Sequence, residues 1–147
     1  MKSQLNKIAK DTNIFLKSFI SKQKNTKLIP AMKYGLFPGG KKIRSKILLD
    51  IGSLLSLDYK TLIKVGAAVE CIHAYSLIHD DLPCMDNDKM RRGKPATHIR
   101  FGEATAVLAG NSLLTMAFEI LASKTLKLDT NIKNLSLIHI SEPTRPY

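Results

Sequence analysis

Along the first third of the chain, apolar residues recur at helical spacing. Leu5, Ile8, Ala9, Thr12, Phe15, Leu16 and Phe19 share one stripe with lysines opposite, which predicts an amphipathic helix. Pro30, Gly35, Pro38, Gly39 and Gly40 then predict a short helical piece and a tight loop. Ile43, Ile47, Leu48, Ile51, Leu54 and Leu55 predict a further helix, apolar over much of its surface. Residues 56–58 read as a turn in which Asp58 is placed to cap the next helix. That helix is predicted over 59–82, and Pro83 ends it by removing a donor and crowding the preceding turn. Residues 84–101 are polar and read as loop. A last helix over 103–126 is apolar nearly all round and predicts a core position. No segment of 1–134 reads as a strand ladder. The predicted class is all-α, with long antiparallel helices around a central cavity.

Composition adds two facts. Apolar residues are 44% and charged residues 24% of 147, which excludes disorder and fits one domain with a buried core. Charge is uneven: residues 1–46 hold twelve Lys and Arg against one acid, Asp11, so the whole net charge of +11 sits there. A basic face can attract nucleic acid or an anionic surface. The lysines here alternate with apolar residues and lack stacking aromatics, so a solvated helix face is favoured over a nucleic-acid platform. Cys71 and Cys84 fit neither a CxxC pair nor a disulfide framework and read as plain thiols of a reducing compartment. No secretory signal is evident, and the apolar run 104–118 contains Thr105, Asn111, Ser112 and Thr115. No membrane span and a cytoplasmic location are expected.

The chemistry concentrates at residues 72–93. Asp80, Asp81, Asp86 and Asp88 place four carboxylates within nine residues, with Arg91 and Arg92 following. Clustered carboxylates repel, so they imply a cation between them, and arginines beside that cation imply an anion such as phosphate. Hard oxygen donors favour Mg²⁺. His73 and Asp80, seven apart, lie on nearly one helical face. Asp80 and Asp81 sit at the helix end where the macrodipole is already negative, which again calls for compensation. The Leu82-Pro83 break can return Asp86 toward Asp80. A calcium loop counted from Asp86 fails, with Arg91 at its sixth position and Thr97 at its twelfth. Gly39, Gly40, Lys41, Lys42, Ile43 and Arg44 form a glycine–lysine turn before a helix, suited to an anion but lacking a Walker pattern.

Taken together, these segments resemble the trans-isoprenyl diphosphate synthases, the polyprenyl synthetase family. The run 39–44 resembles the family's GGK-R-x-R segment. SLIHDDLPCMDND with RRGKPATH resembles its first aspartate-rich motif, and FGEATAVLAGNSLLTMAFEIL resembles the following helix. The resemblance implies the first half of an isoprenoid-synthase helical bundle and a Mg²⁺-dependent prenyltransferase. Such an enzyme joins isopentenyl diphosphate to an allylic diphosphate, dimethylallyl or geranyl. By the same resemblance Asp80 and Asp86 ligate Mg²⁺ with Asp81 assisting, and Arg91 binds the allylic diphosphate. Lys41, Arg44, His73 and Arg92 would bind isopentenyl diphosphate, and Tyr75 and Ser76 would limit product length. Tyr75 with the inserted Leu82-Pro83 is most similar to the bacterial farnesyl diphosphate synthases, while geranylgeranyl synthases share the same aspartate-rich string. A homodimer is implied for the complete enzyme. Ser45, where the family usually has Pro, Lys89-Met90 and Asn111-Ser112 depart from the pattern.

Two other classes stay open from the residues alone. His79-Asp80 with His73 and His98 suggests an HD-type metal phosphohydrolase, and the basic N-terminal third suggests a helical polyanion-binding module. Residues 135–147 look like translated sequencing-adapter DNA, so the domain is expected over 1–134, with the authentic protein continuing past Asn134. The family's second aspartate-rich motif is absent from this sequence. Labelled isopentenyl diphosphate supplied with an allylic diphosphate should therefore stay unincorporated by the purified 147-residue chain. Measurable turnover would contradict this expectation.

Overall fold

Residues 2–23, 26–37 and 40–126 are described by a computed structural model of the chain. The adapter-like segment 135–147 lies outside the described residues, as do Pro38 and Gly39. Six helices appear among the described residues: α1 (Lys2–Ser21), α2 (Leu28–Leu36), α3 (Ile43–Leu54), α4 (Tyr59–Asp80), α5 (Thr97–Phe101) and α6 (Glu103–Ala122). The all-α expectation holds. α1 buries Ile8, Thr12 and Leu16 of the predicted stripe and adds Ile20, all at four-residue intervals. Asp58 caps α4 as expected, its carboxylate accepting from the Thr61 amide at 2.9 Å.

The helical framework is built on α4 and α6, which share the most extensive packing in the molecule. Both bury small residues: Ala67, Ala68, Cys71 and Ala74 on α4, Ala106, Ala109, Gly110 and Ala117 on α6. Short side chains let two helix axes approach closely, and Leu113, Met116 and Ile120 fill the remaining core. By length and composition alone, both helices could cross a membrane. About half of each apolar window is buried inside the molecule (56% for α4, 44% for α6), as in core helices. α3 lies against α4 and leaves Ile43, Ile47, Ile51 and Leu54 exposed on its outer face. The Cys71 thiol is buried and free, and desolvation pushes it up to about 12; Cys84 is free and exposed.

The stretch 84–101 corrects the sequence expectation. It is not all loop: β1 (Met90–Arg91) pairs antiparallel with β2 (Lys94–Pro95), and α5 follows. The cause is the turn between the strands. Arg92 and Gly93 both take positive φ, 51° and 73°, which is the left-handed pair that a two-residue hairpin needs. The Tyr34 hydroxyl then ties the hairpin to α2 by donating to the Pro95 carbonyl at 2.7 Å. α4 ends at Asp80 rather than residue 82, and α6 at Ala122 rather than 126.

One contact sets the α4–α6 distance beside the acidic end of α4. His79 Nε2 donates to the Val107 carbonyl at 3.1 Å, and the Nε2–Cδ2 edge of the imidazole lies against Gly110. A Cβ at residue 110 would stand 2.3 Å from Nε2 and 2.5 Å from Cδ2. In Gly110→Ala the ring must move and its hydrogen bond is lost. Overpacking costs roughly 1–3 kcal/mol and the bond about 1, against about 1 gained in helix propensity. Urea unfolding should register a net loss of about 1–3 kcal/mol.

Candidate functional site

Three segments meet at one cleft. The entry to α3 supplies Lys41, Lys42 and Arg44, the middle of α4 supplies Glu70 and His73, and the hairpin turn supplies Arg92. Together with Gly35, Leu36, Gly40, Ala74 and Leu77 they enclose about 250 Å³. All four residues expected to bind one diphosphate, Lys41, Arg44, His73 and Arg92, therefore line the same space. Gly40 makes the closest approach. A Cβ there would stand 2.9 Å from Arg92 Nη1, so the guanidinium rests against a backbone stripped of side chain. Arg92 is held in place by a left-handed backbone that non-glycine residues rarely adopt.

Beneath this cationic rim sits a buried ion pair that the sequence reading missed. Lys42 Nζ lies 3.4 Å from Glu70 Oε2, and their side chains are 8% and 5% exposed. Glu70 Oε1 also accepts from the amide and hydroxyl of Ser45, each at 3.4 Å. A signal was available: Glu70 is the sole acid in the apolar run 59–79. An acid in such a run needs a partner. Basic neighbours act on His73 too. Burial is the main cause holding its imidazole below the usual 6.5, with Arg44 next; Glu70 opposes them, and Arg92 and Lys42 add to the lowering.

The acidic end of α4 adjoins the cleft. Leu77, Gly35 and Arg92 line both it and a narrower pocket of about 30 Å³ that includes Asp81 and Arg91. The four aspartates divide their tasks. Asp81 is 2% exposed, and both carboxylate oxygens accept from Arg91, Nε at 2.8 Å to each and Nη2 at 2.5 Å to Oδ1. That bidentate pair raises the Arg91 pKa further, chiefly through the hydrogen bonds. Asp80 is half-buried and Asp86 exposed, and the chain folds back so that the Asp86 amide donates to the Asp80 carbonyl at 2.9 Å. The Leu82-Pro83 interruption thus returns Asp86 to the helix end. Leu82 takes part in the fold-back, its carbonyl accepting from the Met85 and Asn87 amides at 2.9 and 3.0 Å. Asp88 stands 3.8 Å from Arg91.

Among the described residues no three His, Cys, Asp or Glu side chains are gathered closely enough to cage a metal ion. Mg²⁺ needs no such cage, being held typically by one or two carboxylates with water and substrate phosphates. The donor chemistry of Asp80 and Asp86 fits that mode. Asp81, with both oxygens taken by Arg91, is committed elsewhere. Tyr75 stacks edge-on to His79 with centroids 4.5 Å apart, and Ser76 Oγ donates to the His73 carbonyl at 3.0 Å. His98 is buried on α5.

Comparison with known proteins gives a consistent result. The family model described as Polyprenyl synthetase matches residues 25–142. Farnesyl diphosphate synthase of Escherichia coli is 44% identical over 137 residues, which is 92% of this chain and 46% of that enzyme. The Haemophilus influenzae enzyme of the same name is 53% identical over 116 residues, 79% of this chain and 39% of that one. A solved geranyltransferase from Legionella pneumophila superposes with a TM-score of 0.85 at 37% identity, covering 91% of this chain and 48% of that structure. The chain spans about half the length, or less, of these relatives.

An anion in the cleft would cancel the cationic influence on His73. Adding pyrophosphate should therefore raise the His73 pKa from its depressed value, and affinity should increase as pH falls through the new value. An NMR titration of the imidazole Cε1 proton checks this; an unmoved pKa would mean that no anion sits beside His73.

Proposed function

The chain belongs to the polyprenyl synthetase family, and on that premise we propose that it carries the diphosphate-binding half of a Mg²⁺-dependent prenyltransferase. The reaction would join isopentenyl diphosphate to dimethylallyl or geranyl diphosphate and yield farnesyl diphosphate. One observation carries the reading: four anion-binding side chains from three separate segments converge on one cleft that adjoins an acidic helix end. Such a juxtaposition suits two phosphorylated substrates, one held by cations alone and one shared with a metal.

Asp80 and Asp86 would hold Mg²⁺, whose charge would ease departure of the allylic diphosphate. The remaining work falls to this chain's own residues. Lys41, Arg44 and Arg92 would fix the diphosphate of isopentenyl diphosphate, and His73 would donate a hydrogen bond to it. Arg91 would face the allylic diphosphate from its seat on Asp81. In this role Asp81 serves the site through Arg91, by holding the guanidinium, more than through the metal. Apolar side chains along α4 and α6 would keep water from the allylic cation. Tyr75, half-buried about 7.5 Å up the helix from Asp80 at 1.5 Å per residue, would stop chain growth. Ser76, next to it, is the other candidate for that limit. A twenty-carbon product is the variant reading of the same site.

The rival enzyme reading loses its basis in the geometry. A metal phosphohydrolase of HD type needs imidazoles and carboxylates gathered on its metal, and among the described residues no three His, Cys, Asp or Glu side chains are so gathered. A polyanion-binding module leaves the acidic helix end unexplained.

The test is calorimetric. Pyrophosphate should bind the chain with an affinity that Mg²⁺ increases at least tenfold. Asp80→Ala should abolish that Mg²⁺ coupling, while His79→Ala should retain it. Coupling that survives Asp80→Ala would refute the assignment of the aspartates.

A further inference from the structure

We propose that Glu70 is a positioning residue for the anion cleft, resting on the reading above that Lys41 and Arg44 grip a diphosphate. The first helical residues of α3 follow Lys42, which takes a left-handed φ of 48° and offers no side-chain cap. The exposed amides at a helix start usually find a local cap or an anion. Here the anion is internal. Glu70 reaches across from α4 to the Ser45 amide and hydroxyl with one oxygen and to Lys42 Nζ with the other. Ser45 is fully buried, and its hydroxyl also lies 3.1 Å from the Gly66 carbonyl of α4. A side chain at residue 66 would press on Ser45, with Cβ 3.2 Å from Ser45 Cβ. The start of α3 is thereby clamped onto α4 through Lys42 and Ser45, the sequence neighbours of Lys41 and Arg44, at a point on α4 one turn from His73.

The serine half of the clamp depends on the residue at position 45. Proline at 45, the family's usual residue, has neither amide hydrogen nor hydroxyl, so Ser45 adds an amide donor to Glu70 and a hydroxyl proton shared between Glu70 and the Gly66 carbonyl. Of the amides at the α3 N-terminus, that of Ser45 is thereby taken by a carboxylate and is not left to a substrate phosphate.

Charge and geometry predict opposite signs for removing Glu70, and this makes the proposal testable. If the carboxylate only subtracts from the positive field, Glu70→Gln should tighten pyrophosphate binding. If it positions the loop, binding should weaken. Since Glu70→Gln leaves Lys42 buried without its counter-charge, Lys42→Met/Glu70→Gln serves as the second variant, removing both charges and keeping the net charge of the wild type. Pyrophosphate affinity by calorimetry should fall at least tenfold in both, and the pyrophosphate-induced rise in the His73 pKa should shrink in the folded fraction seen by NMR. A merely structural role would leave that spectroscopic response intact in whatever protein folds. Unchanged or tighter binding in the double variant overturns the role of Glu70 while the proposed function stands. Absence of pyrophosphate binding by the wild-type chain overturns both.

Discussion

Negative charge at the end of a helix that is already negative is the constraint around which this molecule is arranged. α4 delivers Asp80 and Asp81 at its C-terminus, where unpaired carbonyls and the macrodipole disfavour them. Each charge meets a different solution. Asp81 is buried and needs a full counter-charge, which Arg91 supplies in bidentate form. Asp80 keeps its carboxylate near solvent, while its carbonyl is satisfied by the Asp86 amide. Burying Asp81 fixes Arg91, Arg91 fixes the strand that carries it, and the strand's turn presents Arg92 to the cleft. A string of aspartates thus organises a set of arginines.

The same logic acts earlier on α4. Glu70 is a lone acid in an apolar stretch, and it is tolerated because Lys42 and Ser45 meet it. Buried ion pairs contribute little net stability, since desolvation offsets attraction. Their value lies in geometry: breaking one leaves an unpaired buried charge, so alternatives to the native arrangement of α3 on α4 are penalised. The cationic rim over the pair can then remain solvent-exposed and still be well placed.

Legibility from sequence followed the range of the interactions. The spacing of Ile8, Thr12 and Leu16 marked α1, and Asp58 marked the start of α4, because both depend on neighbours within one or two turns. The hairpin at 90–95 was missed because two-residue strands carry no measurable alternation. Its one local signal was Arg92-Gly93, a pair short enough to pass as loop. The role of Asp81 was likewise hidden, since adjacent aspartates look alike until burial distinguishes them. Tyr34 gave no hint of its bond to Pro95, sixty-one residues away.

By itself the sequence determined the all-helical class, the start of α4 at Asp58, and the residue types able to hold phosphate and a hard cation. These follow from local propensity, periodicity and side-chain chemistry, which are properties of short segments. Tertiary structure alone decided that residues 40–44, 70–73 and 92 share one cleft, that Arg91 belongs to Asp81, and that Glu70 caps a helix from its neighbour. Those outcomes depend on which charges lose their water when helices pack, and desolvation is set by the whole fold.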